Sequence, residues 1–243
     1  MPILLALVAL AGRPDADTTY LYRTLLLRAA PGHLLEVIDL TRGRIPVLTA
    51  GGDAAPWIMR HRQGDAWDLL LLYPMGSYPR FYSPDRVMRR EQASARSGTS
   101  GPGFEASLAA LVSEREEVFV LGPPPAVVGA TLDGAGLYHI EMFVALPDRR
   151  ADLFHEREME NAYLATLGRP TNLIFTRVGG ASWDAFTIGA YRDMTHFAAS
   201  DTIAVDRQDS AARRAGFESA STIGTDLRAL IQRHHDTLAG AVR

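Results

Sequence analysis

The chain repeats itself. Trp67-Asp68 recurs as Trp183-Asp184, 116 residues later, and the same offset holds without a gap over most of each half. It pairs Asp17 with Asp133, Leu21-Tyr22 with Leu137-Tyr138, Pro31 with Pro147, Leu48 with Leu164, Gly64 with Gly180 and Phe81 with Phe197. One offset sustained this far marks a duplicated module, and a repeat bounds the architecture before any local reading does. A looser likeness continues, from Gly103-Phe104-Glu105 to Gly216-Phe217-Glu218. These matches define a first module over 17–123, a linker over 124–132 and a second module over 133–243. The linker lies in a Pro- and Gly-rich stretch.

Residues 1–16 have no counterpart in the repeat. Pro2 to Ala11 is apolar and ends in Ala9-Leu10-Ala11, a small-x-small pattern. It is too short for a membrane span and reads as a leader peptide, although a basic start is missing. That reading expects a periplasmic or secreted protein. The alternative is a buried first strand and a cytoplasmic protein.

Within a module, Thr19 to Ala29 has the Tyr, Leu and Thr content of a strand. Pro31 opens a helix whose apolar face carries Leu34, Leu35, Val37 and Ile38. Trp57–Arg62 and Trp67–Tyr73 flank Gln63-Gly64-Asp65-Ala66, a hairpin signal. A helical region is expected from Pro79 to Glu117, then a short strand from Glu117 to Leu121. The second copy repeats this order, with its helical region reaching His235 and its last strand at Thr237–Val242. The order β-α-β-β-α-β is the ferredoxin-like split βαβ unit, an α+β module. Leu69 to Leu72 is apolar on both faces, so both faces need cover. Helices supply one side and the sister sheet the other.

This element order, duplicated, resembles the dimeric α/β-barrel superfamily, in which two ferredoxin-like modules pack sheet against sheet. Here one chain would supply both. In size and in Trp- and Tyr-bearing strands it is similar to the EthD and NIPSNAP-type families. The tandem arrangement also resembles the chlorite dismutase group, whose second module binds haem through a histidine. The segment Asp148-Arg149-Arg150-Ala151-Asp152-Leu153-Phe154-His155 is similar to the approach to that histidine, but with different spacing. The resemblance implies haem as a cofactor candidate through His155; the expectation from the residues themselves is no cofactor and no metal.

Composition excludes several chemistries. The 25 residues counted as Lys+Arg are all Arg, and Cys is absent. Schiff-base lysine, P-loop lysine, thiolate nucleophile and disulfide are therefore ruled out. A net charge of −3 with 22% charged residues gives no polyanion-binding surface, so nucleic acid is not an expected partner. The expected partner is a small molecule; homo-oligomerisation is left open.

Polar residues present in one copy only are the better site candidates, because shared residues serve the fold in both. His139 and Glu141 share a face of the second module's first strand, where the first module has Arg23 and Leu25. Projecting into an enclosed barrel, they would form an acid/base pair; the bland reading is a salt-bridged strand face. Tyr22, Arg23, Tyr138, His155 and His196 are candidate ligand-binding residues. Packed tyrosines and solvated histidines are their bland alternatives. His155 and Glu156 lie in no zincin motif, since no second His follows at the required spacing. His234-His235 is expected on or just beyond the last helix. Trp67-Asp68 and Trp183-Asp184 are read as hairpin closures. Three functions stay open: a protein binding a small, partly apolar molecule in a barrel pocket, a cofactor-free or haem-dependent oxidoreductase or monooxygenase, and a non-catalytic interaction module.

Overall fold

The computed structural model describes residues 20–98 and 101–242. The leader expected over 1–16 lies outside them. The first module runs β1 (Tyr20–Ala29), α1 (Leu34–Ala50), β2 (Trp57–Gln63), β3 (Leu69–Gly76), α2 (Tyr78–Phe81), α3 (Pro84–Arg96), α4 (Gly101–Leu111) and β4 (Val112–Gly122). After α5 (Pro125–Leu132), the second runs β5 (Leu137–Ala145), α6 (Arg150–Thr166), β6 (Leu173–Gly179), β7 (Ala185–Tyr191), α7 (Met194–Ala198), α8 (Val205–Ala215), α9 (Ile223–Arg228) and β8 (Ile231–Ala241).

The eight strands close into one antiparallel barrel in the order β1-β3-β2-β8-β5-β7-β6-β4. The modules meet at two seams, β2 with β8 and β4 with β6. The duplication is visible in register: Leu25 faces Leu71, and Glu141 faces Thr187, each pair shifted by the repeat offset. It is visible in the Trp-Asp pairs too. Asp68 Oδ2 accepts from the Ala29 N–H at 2.8 Å, and Asp184 Oδ2 accepts from the Ala145 N–H at 3.0 Å. Trp67 and Trp183 pack into the barrel. Gly64 and Gly180 are shared because each hairpin turn lies against the last strand of the other module. Both have positive φ, and a Cβ would strike the backbone at Asp236 and Glu117 respectively.

Strand alternation sorts the apolar residues. Tyr22, Leu70, Leu72, Ile140, Phe175 and Phe186 fill the barrel, with the Phe175 and Phe186 rings stacked at 4.6 Å. The opposite faces of the first sheet bury Leu25, Leu27, Leu69 and Leu71 under α1 and α4. Leu69 to Leu72 are each 0% exposed, which explains the uninterrupted apolar run. Each such burial is worth about 2 kcal/mol.

The structure changes two sequence expectations. β4 and β8 begin at Val112 and Ile231, several residues earlier than expected. Glu114-Arg115-Glu116-Glu117 has helix propensity, but pairing with β1 overrides it, Arg28 facing Glu114. For the same reason His234 and His235 lie on a strand facing Phe143 and Met142, and not on a helix. The connecting segment is also ordered: α5 plugs one end of the barrel with Val128 and Leu132. No helix among the described residues is long and apolar enough to cross a membrane.

Candidate active site

The candidate residues separate into four places. Tyr22 and Tyr138 lie inside the barrel beside α5. The Tyr22 hydroxyl donates to Pro123 O at 2.5 Å, and the Tyr138 hydroxyl to Leu132 O at 3.5 Å. Burial, with Tyr20 nearby, raises the Tyr22 hydroxyl pKa well above the ordinary phenol value. Arg23 lies between the first sheet and its helices. His155 projects from α6 with its side chain 73% exposed, 3.8 Å from Glu158. An axial haem ligand needs an enclosed ring position. His155 does not provide one, so it does not fit the part of a haem ligand.

His139 and Glu141 are brought together, on a different face from the one expected. The barrel side of β5 is taken by Tyr138, Ile140 and Met142. His139, Glu141 and Phe143 therefore face outward, into the crevice between the second sheet and α6. Alternation fixed their common face; only barrel closure decided which face it was.

Three elements build this crevice. From β8, Asp236 Oδ1 lies 3.2 Å from His139 Nε2, and Asp236 Oδ2 lies 3.2 Å from His234 Nε2. From β7, Thr187 Oγ1 donates to Glu141 Oε2 at 3.3 Å. From α6 come Glu156, Arg157 and Glu160. Arg157, its side chain 1% exposed, donates to both oxygens of Glu156 at 2.6 and 2.7 Å and to Glu160 at 2.8 Å. It sits 3.8 Å from Glu141 and over the Phe143 ring at 5.1 Å. His139 also packs on Phe197, ring centroids 5.1 Å apart. Opposite His139 the register places Gly189 on β7 and Leu238 on β8, so only the β7 side presents no side chain to it.

Charge does not balance here. Four carboxylates (Glu141, Glu156, Glu160 and Asp236) share one guanidinium and two imidazoles. The consequences are opposite for neighbouring groups. Burial pushes Glu160 up to about 7; Arg157 opposes this, and Glu141 and Glu156 reinforce it. For His139, burial works downward, but the Asp236 hydrogen bond and the Glu141 charge outweigh it and leave the imidazole above its ordinary value. The hydrogen bond from His139 holds Asp236 below its ordinary value, against burial. The crevice thus raises the proton affinity of two neighbouring groups, Glu160 and His139, a condition suited to general acid–base work. The ligand atoms of His139, Glu141 and Asp236 all lie within 4.8 Å of one another, a donor set that a divalent cation could take. Such a cation would compete with the His139 proton and with Arg157, which already supply countercharge.

His196 stands at the rim of this crevice. Its Nδ1 accepts from the Arg192 N–H at 3.2 Å, its own N–H donates to Asp193 Oδ1 at 2.8 Å, and its ring contacts Tyr191. Burial first, then Arg192 and Arg169, depress its pKa. It shapes the α7 turn.

Arg157, Glu160 and Asp236 were not singled out from the sequence, and Glu156 and His234 were read there without a site role. The signal for three of them was there. Leu153, Glu156, Arg157 and Glu160 follow the i, i+3, i+4, i+7 spacing of a buried helix face, with charges where apolar residues belong. The first module has Thr41 at the position of Arg157.

No protein-family model and no curated relative matches the sequence. Solved structures do. An anthrone oxidase-like protein superposes with a TM-score of 0.56 at 10% identity, over 94% of this chain and 93% of that one. A candidate monooxygenase from Fusobacterium nucleatum gives 0.53 at 9% identity, over 93% of each chain. Another from Lactobacillus acidophilus NCFM gives 0.50 at 7% identity, over 93% of this chain and 98% of that one. At these identities the likeness speaks to fold. The chain has the ferredoxin-like dimeric α/β-barrel fold, with both modules supplied in tandem.

Proposed function

We propose that the protein is an oxidoreductase acting on a small, partly apolar molecule, with proton transfer carried by His139 and Glu160 in the second module's crevice. The observation that carries this reading is the burial of Glu160 beside further carboxylates in the crevice, which pushes it up to about 7. Such a base removes a proton from an acidic phenol or β-dicarbonyl carbon acid, the step that prepares these compounds for reaction with oxygen. Glu141 and Asp236 orient and charge His139, and Phe197 and Tyr191 supply apolar wall. The solved structures named for a monooxygenase and an anthrone oxidase-like protein point in the same direction.

The test is oxygen uptake, with product mass, across a panel of phenols and β-dicarbonyl compounds. Uptake that falls roughly 100-fold or more in Glu160→Gln and His139→Ala supports the reading. Uptake absent across the panel, or equal in the variants, refutes it.

A second reading rests on the open end of the barrel. There a pocket of about 290 Å³ is lined by Leu26, Met142, Val144 and both repeat tryptophans, with charged residues such as Arg28, Glu116 and Arg233 at its sides. Trp67 Nε1 is buried without a hydrogen-bond partner. This favours binding of a partly apolar molecule with one acceptor. Quenching of tryptophan fluorescence whose ligand affinity Trp67→Phe weakens would support it, and an unchanged affinity would count against it. Kinship with EthD or NIPSNAP-type proteins, the 17–123 and 133–243 module bounds and an exported, leader-bearing precursor are part of the same proposal. N-terminal sequencing of exported protein tests the leader, and an intact Met1 in a cytosolic fraction defeats it.

A further inference from the structure

The matching crevice of the first module has the opposite charge. Where the second copy has His139, Glu141, Arg157 and Glu160, the first has Arg23, Leu25, Thr41 and Arg44. Thr41 is small and bonds back to its own helix, its hydroxyl donating to Val37 O at 2.8 Å. Between the first sheet and its helices, beside Arg23 and Arg44, lies a cavity of about 270 Å³.

Three guanidiniums line that cavity, each lying over an aromatic ring. Arg23 lies 4.6 Å from the Tyr73 centroid, Arg44 5.2 Å from Phe104, and Arg90 4.0 Å from Phe81. Arg44 already gives an N–H to Ser94 Oγ at 2.9 Å, and Arg90 gives N–H groups to Arg86 O and Phe81 O, so each of these has a partner. Arg23 Nε is buried and has none. The nearby carboxylates are committed: Asp53 receives Arg86 at 2.8 Å, with Arg90 at 3.6 Å, and Glu105 pairs with Arg115. Counting Glu117, also held by Arg115, five arginines are set against three carboxylates.

From this we infer that the first module's crevice is a binding site for a small aromatic carboxylate. The unpartnered Nε of Arg23, with the positive charges of Arg44 and Arg90 beside it, suits a carboxylate, and Leu48, Phe104 and Tyr82 line the cavity for a ring. The volume lies at the lower edge of ordinary ligand pockets, which suits one substituted ring and excludes a nucleotide. The site is separate from the acid–base crevice and does not depend on it.

Calorimetric titration of the full chain with benzoate, benzyl alcohol and inorganic phosphate tests the inference. Benzoate is expected to bind at ~1 mM or tighter, with both other probes at least about tenfold weaker. Arg23→Met should weaken benzoate by about tenfold or more, while Arg213→Met on α8 and His139→Ala leave it unchanged. Arg44→Met is read in its place if Arg23→Met does not fold. No benzoate binding, phosphate binding as tightly as benzoate, or a loss in His139→Ala equal to that in Arg23→Met would overturn the assignment.

Discussion

Glu160→Gln is expected to make the protein more stable above neutrality. In the folded chain the carboxyl titrates at about 7, against an ordinary value of 4.5. Between those values the folded state holds a proton that the unfolded chain has released. Stability from this group is therefore full below pH 4.5 and is lost as pH rises to about 7. The gap corresponds to about 3 kcal/mol at most. Glutamine resembles the protonated form, so the variant should match the wild type near pH 5 and exceed it at pH 8. For a chain of this size that is a rise in Tm of roughly 5–10 °C at pH 8. His139, with its raised pKa, also loses stability as pH rises, so the wild-type curve falls in the same direction. Asp236, held low, loses its contribution only in acid, outside this window. Thermal melts of both proteins from pH 5 to 8.5 at constant ionic strength provide the measurement. Parallel curves, or a wild type that gains stability from pH 5 to 8, would refute the reasoning.

Three further outcomes are expected. Arg157→Ala leaves Glu156 buried without its bidentate partner and should cost about 3–5 kcal/mol in urea unfolding; a loss below about 1 kcal/mol would contradict the described network. Gly64→Ala drives a Cβ onto the β8 backbone at a positive φ and should cost at least about 2 kcal/mol. Gly134→Ala, also at positive φ but with open space around it, should cost about 1 kcal/mol, and equal losses would remove the close-approach argument. Asp184→Ala removes the acceptor of the Ala145 N–H and should cost about 1–2 kcal/mol. Amide exchange at Ala145 should accelerate with it, and unchanged protection there would count against the strand anchor.

The repeat made much of this fold legible before any coordinates. Side-chain alternation placed His139 and Glu141 on one face, and the unbroken Leu69–Leu72 run required cover on both sides of its sheet. The shared Asp68 and Asp184 marked the hairpins, where each holds the N–H of the module's first strand. Local pattern failed at Glu114–Glu117 and at Gln232–Asp236. Both are polar runs that become strands only because β1 and β5 offer backbone partners from distant parts of the chain. Alternation also leaves the inside and outside of a strand equivalent. The apolar residues of eight strands had to be counted together before the barrel could claim Tyr138, Ile140 and Met142 and turn His139 outward. Asp236 is 97 residues from His139, and no spacing rule joins them. Sequence alone determined the duplicated module and the polar differences between its copies. Tertiary structure decided which of those differences meet, since closing the barrel sets a helix of each copy against its outer face and gives the two crevices opposite charge.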